Sequence, residues 1–386
     1  MSTQFGISGS LLASAAAFAL LAVSPASATL IQTQTDNSVS GSASLTAHQT
    51  GVGSTTTSAT NQTLATKQFS QFDTTNGVLT GAKVTIDGGR RETAVLSASG
   101  GVGGARRADG SGTNTNTSLS APGISLSFGN IGIANFRCQP NGIPLKCPRT
   151  VGPIPTATSG NASTSNLAAL SGYAGNGNVT VNLLGNLSAT ALIENTTTGG
   201  PNAPYTDAWL QNTVGWSGKM SLEYDYLAHA NPSFSSINDV DVLNIDFGTV
   251  LQNSSPAAQN LAITNLFATL LASDTVGLDL DLITGPNSPF SLTGSTFSDL
   301  LAGLTSGTFS VNFDTSNVGN FSDTILLSLS DADAGVGMQN YTLTVNLNGV
   351  VQAPTRSVPE PASIALLGAG LLGAGGLSRR KVRKAS

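Results

Sequence analysis

Charge is scarce in this chain. Asp, Glu, Lys and Arg make up 10% of 386 residues, against about 25% in a typical soluble domain. Aromatic residues are few as well, at 5%, so any core must rest on Leu, Val, Ile and Ala. Ser, Thr, Asn and Gly fill the remaining positions, and Thr or Ser alternating with aliphatic residues suits sheets. There are only two histidines, His48 and His229, so a His-dependent nucleophile would have to use one of them. No His-Glu-x-x-His, Gly-x-Ser-x-Gly or Walker pattern is present. The Gly-rich stretch from Gly100 to Gly112, read as a loop, carries Arg106-Arg107 but lacks the Gly-x-Gly-x-x-Gly spacing into a helix, so phosphate binding has no support. A protein that is not an enzyme is expected. No long amphipathic helical pattern runs between the two ends, which points to an all-β fold.

Long apolar runs are missing too; two short ones mark the ends. Leu11 to Val23 gives 13 residues, about 20 Å of helix against a hydrocarbon core of ~30 Å. Pro25 and Ala26-Ser27-Ala28 follow, which fits cleavage between Ala28 and Thr29 by signal peptidase. No Lys or Arg precedes this run, a departure from a standard signal peptide, and an uncleaved membrane helix is the rival reading. Ala362 to Leu377 is the second run, roughly 24 Å if helical. Snorkelling cations and local thinning would cover the shortfall.

The second run sits inside a tripartite pattern. Val358-Pro359-Glu360-Pro361 precedes it, and Arg379, Arg380, Lys381, Arg383 and Lys384 follow it. Two prolines keep the motif extended, and the basic end resists translocation. Together these residues resemble the PEP-CTERM sorting signal. That resemblance implies export through the secretory translocon, a transient single-pass anchor and processing by an exosortase near Pro359-Glu360-Pro361. It also implies residence at the cell surface or outside the cell, in association with exopolysaccharide. A stable single-span anchor is the alternative.

Removing both ends leaves Thr29 to Ser357, enough for two domains. From Thr29 to Ala230 there are ten Lys and Arg against nine Asp and Glu; from Asn231 to Ser357 there is one Arg against eleven Asp. This shift predicts domains at 29–230 and 231–355, flanked by a signal helix (1–28) and a tail (356–386). The acidic half would repel nucleic acid. Cys138 and Cys147 bracket Pro140, Asn141-Gly142 and Pro144. In an oxidising compartment a disulfide closing a surface loop is expected; free thiols are the alternative.

Alternation predicts strands with one buried face at Ala82/Val84/Ile86, Val179/Val181/Leu183, Leu187–Ile193 and Met220/Leu222/Tyr224/Tyr226. Edge strands are expected over Asn37–Thr66, where Val39, Leu45 and Leu64 recur, and a further strand at Ile124–Ile133, with a hairpin turn at Asn76-Gly77. In the second half, Leu243/Ile245/Phe247, Phe309/Val311/Phe313, Ile325/Leu327/Leu329 and Tyr341/Leu343/Val345/Leu347 alternate, the last ending at Asn348-Gly349. Short strands with turn signals between them predict two antiparallel β-sandwiches. Phe72-Asp73 and the stretch Gly215-Trp216-Ser217-Gly218 to Tyr226 resemble the choice-of-anchor E domain. Ile245 to Val250, Phe309 to Phe321 and Tyr341 to Val351 are similar to Ig-like choice-of-anchor domains.

Two constellations remain. Asp239/Asp241, Asp279/Asp281 and Asp331/Asp333 are Asp-x-Asp pairs, and i, i+2 carboxylates on one strand face suit calcium. Solvated turns and edge strands are the preferred explanation, and no cofactor is the base expectation. Tyr205, Trp209, Trp216, Tyr224 and Tyr226 would form a sugar-stacking platform or pack the first core. A carbohydrate- or calcium-dependent adhesion module is therefore the alternative function.

Overall fold

The computed structural model describes residues 29–100, 106–138, 146–195, 205–267, 274–354 and 366–371. Their regular secondary structure is almost entirely β-strand. The helices described are α1 (Leu167–Leu170) and residues 366–371. Among the described residues no helix is long and apolar enough to cross a membrane. The expected signal segment 1–28 lies outside the described residues, as do Pro359-Glu360-Pro361 and the basic residues Arg379–Lys384.

The chain divides into two compact units. One runs to His229 and takes in Ala268–Val276 and Asp333–Met338; the other comprises Ala230–Phe267, Gly277–Ala332 and the chain from Gln339. The first unit therefore contains pieces from far along the sequence: Leu79 and Val336 exchange both backbone hydrogen bonds at 2.9 Å.

The first unit holds β1 (Leu30–Thr50), β2 (Gly53–Ser70), β3 (Val78–Gly100), β4 (Arg106–Ala121), β5 (Ile124–Phe128), β6 (Ile131–Arg137), β7 (Lys146–Thr164), β8 (Asn178–Asn195) and β9 (Tyr205–Leu227). One sheet runs β1-β9-β3-β7 and the other β2-β8-β4-β5, with β6 also on β4. Every pairing among them is antiparallel. The alternating residues close a shared core from both sheets: Val84 and Ile86 of β3, Met220, Leu222 and Tyr224 of β9, Val181 and Leu183 of β8, Leu119 of β4. Burial of each such side chain contributes on the order of 1.5–3 kcal/mol.

The second unit holds β10 (Pro232–Ser233), β11 (Val242–Leu251), β12 (Gln259–Leu261), β13 (Thr264–Asn265), β14 (Leu278–Thr284), β15 (Phe290–Thr293), β16 (Phe297–Leu300), β17 (Phe309–Phe313), β18 (Gly319–Asp331) and β19 (Asn340–Gln352). The largest sheet is β11-β19-β18-β14-β16, a second is β12-β17-β15, and β10 pairs β13. Phe290, Phe313 and Phe247 cluster with ring centroids 4.8–6.0 Å apart, within the favourable range for aromatic pairs.

Several expectations need correction. The Gly-rich stretch is not all loop, because β4 begins at Arg106. Glycine there gives room to the facing sheet: a Cβ on Gly110 would meet Leu210 Cδ1 at 2.6 Å, and one on Gly112 would meet Asn212 Cγ at 2.5 Å. Asn76-Gly77 does not close a hairpin, since β2 and β3 lie in different sheets. Ile124–Ile133 is two strands, β5 and the start of β6. The second unit is not purely antiparallel: β11 pairs β19 in parallel. Asn348-Gly349 does not end β19, which continues to Gln352 because Gly349 and Val351 pair with Phe321 and Gly319.

Candidate functional site

The five aromatics of the first unit do not gather on one platform. Tyr205, Trp216 and Tyr224 are buried, and the Tyr224 hydroxyl donates to Ser70 O at 2.7 Å. Burial pushes the phenols of Tyr205 and Tyr224 up. Tyr226 is half-buried and leans on Phe72. Trp209 alone of the five stays in solvent, 46% exposed.

Trp209 is part of a small built cluster. His48 on β1 pairs in register with Trp209 on β9, and their rings stack at 3.5 Å with planes 10° apart. Asp207 holds both: His48 Nε2 lies 2.5 Å from Asp207 Oδ1, and Trp209 Nε1 donates to Asp207 Oδ2 at 2.8 Å. Residues 207 and 209 share a strand face because the side-chain period is two. Burial pushes the Asp207 carboxyl up, but the hydrogen bonds from His48 and Trp209 outweigh it and hold the carboxyl below its usual value. The result is a fixed aromatic plate beside an anionic acceptor. His229, the other histidine, is elsewhere, with Nε2 against Thr74 O at 2.8 Å.

A second polar group lies inside. Arg90 and Glu92 of β3 are 1% and 0% exposed. Arg90 donates through Nε to Thr158 Oγ1 at 2.9 Å, through Nη1 to Asn114 Oδ1 at 2.8 Å and Thr117 Oγ1 at 2.5 Å, and through Nη2 to Gly129 O. Burial pulls the guanidinium down, with Glu92 opposing. Both Glu92 carboxyl oxygens, and Asn212 Oδ1, are buried without a hydrogen-bond partner. Burial pushes Glu92 up, with Asn212 and Arg90 opposing. This polar layer separates two apolar clusters. Ile86 and Trp216 belong to one; Ala94, Leu96 and Leu210 belong to the other. Sequence reading passed over Arg90 and Glu92. The signal available was their i, i+2 continuation of the buried face marked by Val84 and Ile86.

The three acidic pairs sit in different settings. Asp331 is buried and already accepts from Ala230 N (2.9 Å), Gln339 N (2.8 Å) and the Tyr341 hydroxyl (2.9 Å), while Asp333 is exposed. A register shift between Leu280 and Leu282 places a bulge at Asp281, which breaks the shared face with Asp279. Asp279 Oδ1 instead accepts Asp299 N at 2.6 Å. Asp239 and Asp241 are exposed. Among the described residues no group of three His, Cys, Asp or Glu is placed to hold a metal.

Cys138 and Cys147 form a disulfide with Cα atoms 5.8 Å apart, at the join of β6 and β7. Arg106 and Arg107 lie on β4, and Arg107 is held by Asp109 at 3.1 Å and by Glu194.

Comparison with known proteins bears on the tail. Residues 357–381 match the family model described as the PEP-CTERM protein-sorting motif. The match includes Pro359, Glu360, Pro361, Arg379, Arg380 and Lys381, and marks the chain as exosortase-targeted, for secretion and membrane-associated sorting towards the cell surface. No curated protein matches the chain. Among solved structures, one titled "Structure of Vibrio cholerae VesB protease" matches at 15% identity with a TM-score of 0.21. It covers 34% of this chain and 37% of that one. So slight a likeness carries nothing about fold or activity.

Proposed function

We propose that this chain is an exported, non-catalytic protein of the cell surface or extracellular matrix, sorted and processed by an exosortase at Pro359-Glu360-Pro361. The single observation that carries this is the sorting-motif match over residues 357–381. In this scheme signal peptidase cuts between Ala28 and Thr29. Residues 362–377 then lodge in the membrane, Arg379, Arg380, Lys381, Arg383 and Lys384 hold the end inside, and the exosortase releases the body outward. The body consists of two β-sandwiches, the first akin to choice-of-anchor E and the second Ig-like. Shared burial of the two sheets of the first unit supports a sandwich there. Both histidines serve structural contacts, which supports a non-catalytic role. Exopolysaccharide is the matrix partner the tail implies.

Intact mass of the exported protein tests this. Wild type should lack residues 1–28 and the tail, while a Pro359→Ala/Glu360→Ala variant should keep its C-terminus. Full-length soluble protein in the cytosol, with Met1 and Ser386 still in place, would overturn the proposal.

A second reading, carbohydrate-dependent adhesion, is favoured by the Trp209 plate. A flat exposed indole with Asp207 beside it suits a pyranose face and its hydroxyls. Trp209→Ala should abolish glycan-array signal; an array without wild-type signal would end this reading.

A further inference from the structure

The four edges of the first unit are not alike. An edge strand presents unpaired N–H and C=O groups, and proteins blunt such edges with proline, charge, bulges or short length. Strand β7 carries Pro148, Pro153 and Pro155, together with Lys146 and Arg149. Strands β5 and β6 are only 5 and 7 residues long. Strand β2 is partly occupied: Gln34 donates to Ser70 O at 2.8 Å and accepts from Ser70 N at 2.9 Å.

Strand β1 has none of these protections over most of its length. It is 21 residues long without Pro, Lys or Arg. Among the described residues only β9 pairs with it. Its one bulge falls between Asp36 and Val39, and from Val39 to Thr50 the register with β9 is unbroken. Outward positions along this flat stretch are Ser40, Ser42, Ser44 and Thr46, all exposed. The one carboxylate of β1, Asp36, is neutralised by Lys67 at 2.7 Å; its pKa is lowered to about 2, chiefly by the hydrogen bond from that lysine.

We propose that Val39–His48 is an interchain edge, and that its occupant is the same strand of a second copy. A two-fold axis would run β1 antiparallel to its mate and continue the sheet β1-β9-β3-β7 across both chains. Self-pairing is favoured because Val39–Ala47 carries no ionisable side chain, so no like charges meet across the axis there. The facing rows are hydroxyls, which pair well across strands. Such an isologous contact uses one patch twice and closes as a dimer.

Sedimentation velocity on the exported protein tests this over roughly 1–100 µM, the range expected of a modest interface. Wild type should rise from the one-chain towards the two-chain mass with concentration. Ser40→Lys/Ser42→Lys should remain at the one-chain mass with an unchanged melting temperature. Asn161→Lys/Ser163→Lys, on the proline-guarded β7, should behave as wild type. Hydrogen exchange on wild type gives an independent readout: amides of Val39–His48 should gain protection as concentration rises. A one-chain mass at every concentration, association of Ser40→Lys/Ser42→Lys equal to wild type, or concentration-independent exchange in Val39–His48 would each overturn the proposal.

Discussion

The Tyr341 hydroxyl donates to Asp331 Oδ1 at 2.9 Å, inside the second unit. Ala230 N and Gln339 N complete the acceptor set of that carboxylate. Burial and the adjacent Asp331 push the Tyr341 phenol up, so it stays a donor across the physiological range. Tyr341→Phe removes one donor to a buried charged group and should cost about 1.5–3 kcal/mol. Asp331→Ala removes the acceptor of three donors, one of them buried, and should cost more. Calorimetry decides: a shift in neither variant would show that this carboxylate is not a tie point.

Arg90 should be the most sensitive single position of the first unit. Its guanidinium satisfies Thr158, Asn114, Thr117 and Gly129 O together. Arg90→Ala takes the guanidinium donors from Thr158 and Gly129 O, leaves Asn114 Oδ1 only the Thr117 hydroxyl, strips Glu92 of its buried cation, and should cost about 3–5 kcal/mol. Arg90→Lys should rescue little, because an ammonium cannot reproduce the planar fork. Urea titration of both variants provides the measurement, and near-complete rescue by lysine would contradict this account.

Glu92 should impose a pH dependence. Its folded pKa is raised above the ordinary value of 4.5 by burial, so the folded state holds a proton that the unfolded chain releases. Its contribution is fully present below about pH 4.5 and is lost as pH rises through the folded pKa. Glu92→Gln, which keeps the amide-sized shape and cannot ionise, should flatten that fall and stabilise the protein at neutral pH. Parallel stability curves for both proteins from pH 4 to pH 8 would rule out a titrating Glu92.

Reduction of Cys138–Cys147 should lower stability by about 2.5–3 kcal/mol, the chain-entropy value for so short a ring. Urea midpoints with and without reductant measure it. A Cys138→Ser/Cys147→Ser variant should match the reduced protein and be insensitive to reductant.

Much of the strand pattern was legible in the sequence. Ala82, Val84 and Ile86, or Leu343, Val345 and Leu347, alternate cleanly because one face of each strand is buried and the other is wet. Three features were not legible, each for a physical reason. Gly110 and Gly112 look like loop residues, yet they serve close approach to Leu210 and Asn212. Arg90 and Glu92 look solvated by residue type, and only the three-dimensional gathering of Asn114, Thr117 and Thr158 around Arg90 makes burial of its guanidinium tolerable. The parallel pairing of β11 with β19 joins residues about a hundred positions apart, a relation that local periodicity does not encode. At the candidate site, Trp209 was one aromatic among five until burial of Tyr205, Trp216 and Tyr224 set it apart. The sorting motif within residues 357–381 was legible because its signal is linear.

The last strand before the sorting tail is not an edge. β19 lies between β11 and β18, and twelve of its residues are in register with β18. A pull applied at Gln352 along this strand's axis meets both neighbouring strands. Load then spreads over two ladders in shear at once, instead of peeling bonds one after another. β19 is thus gripped from both sides, by β11 and by β18.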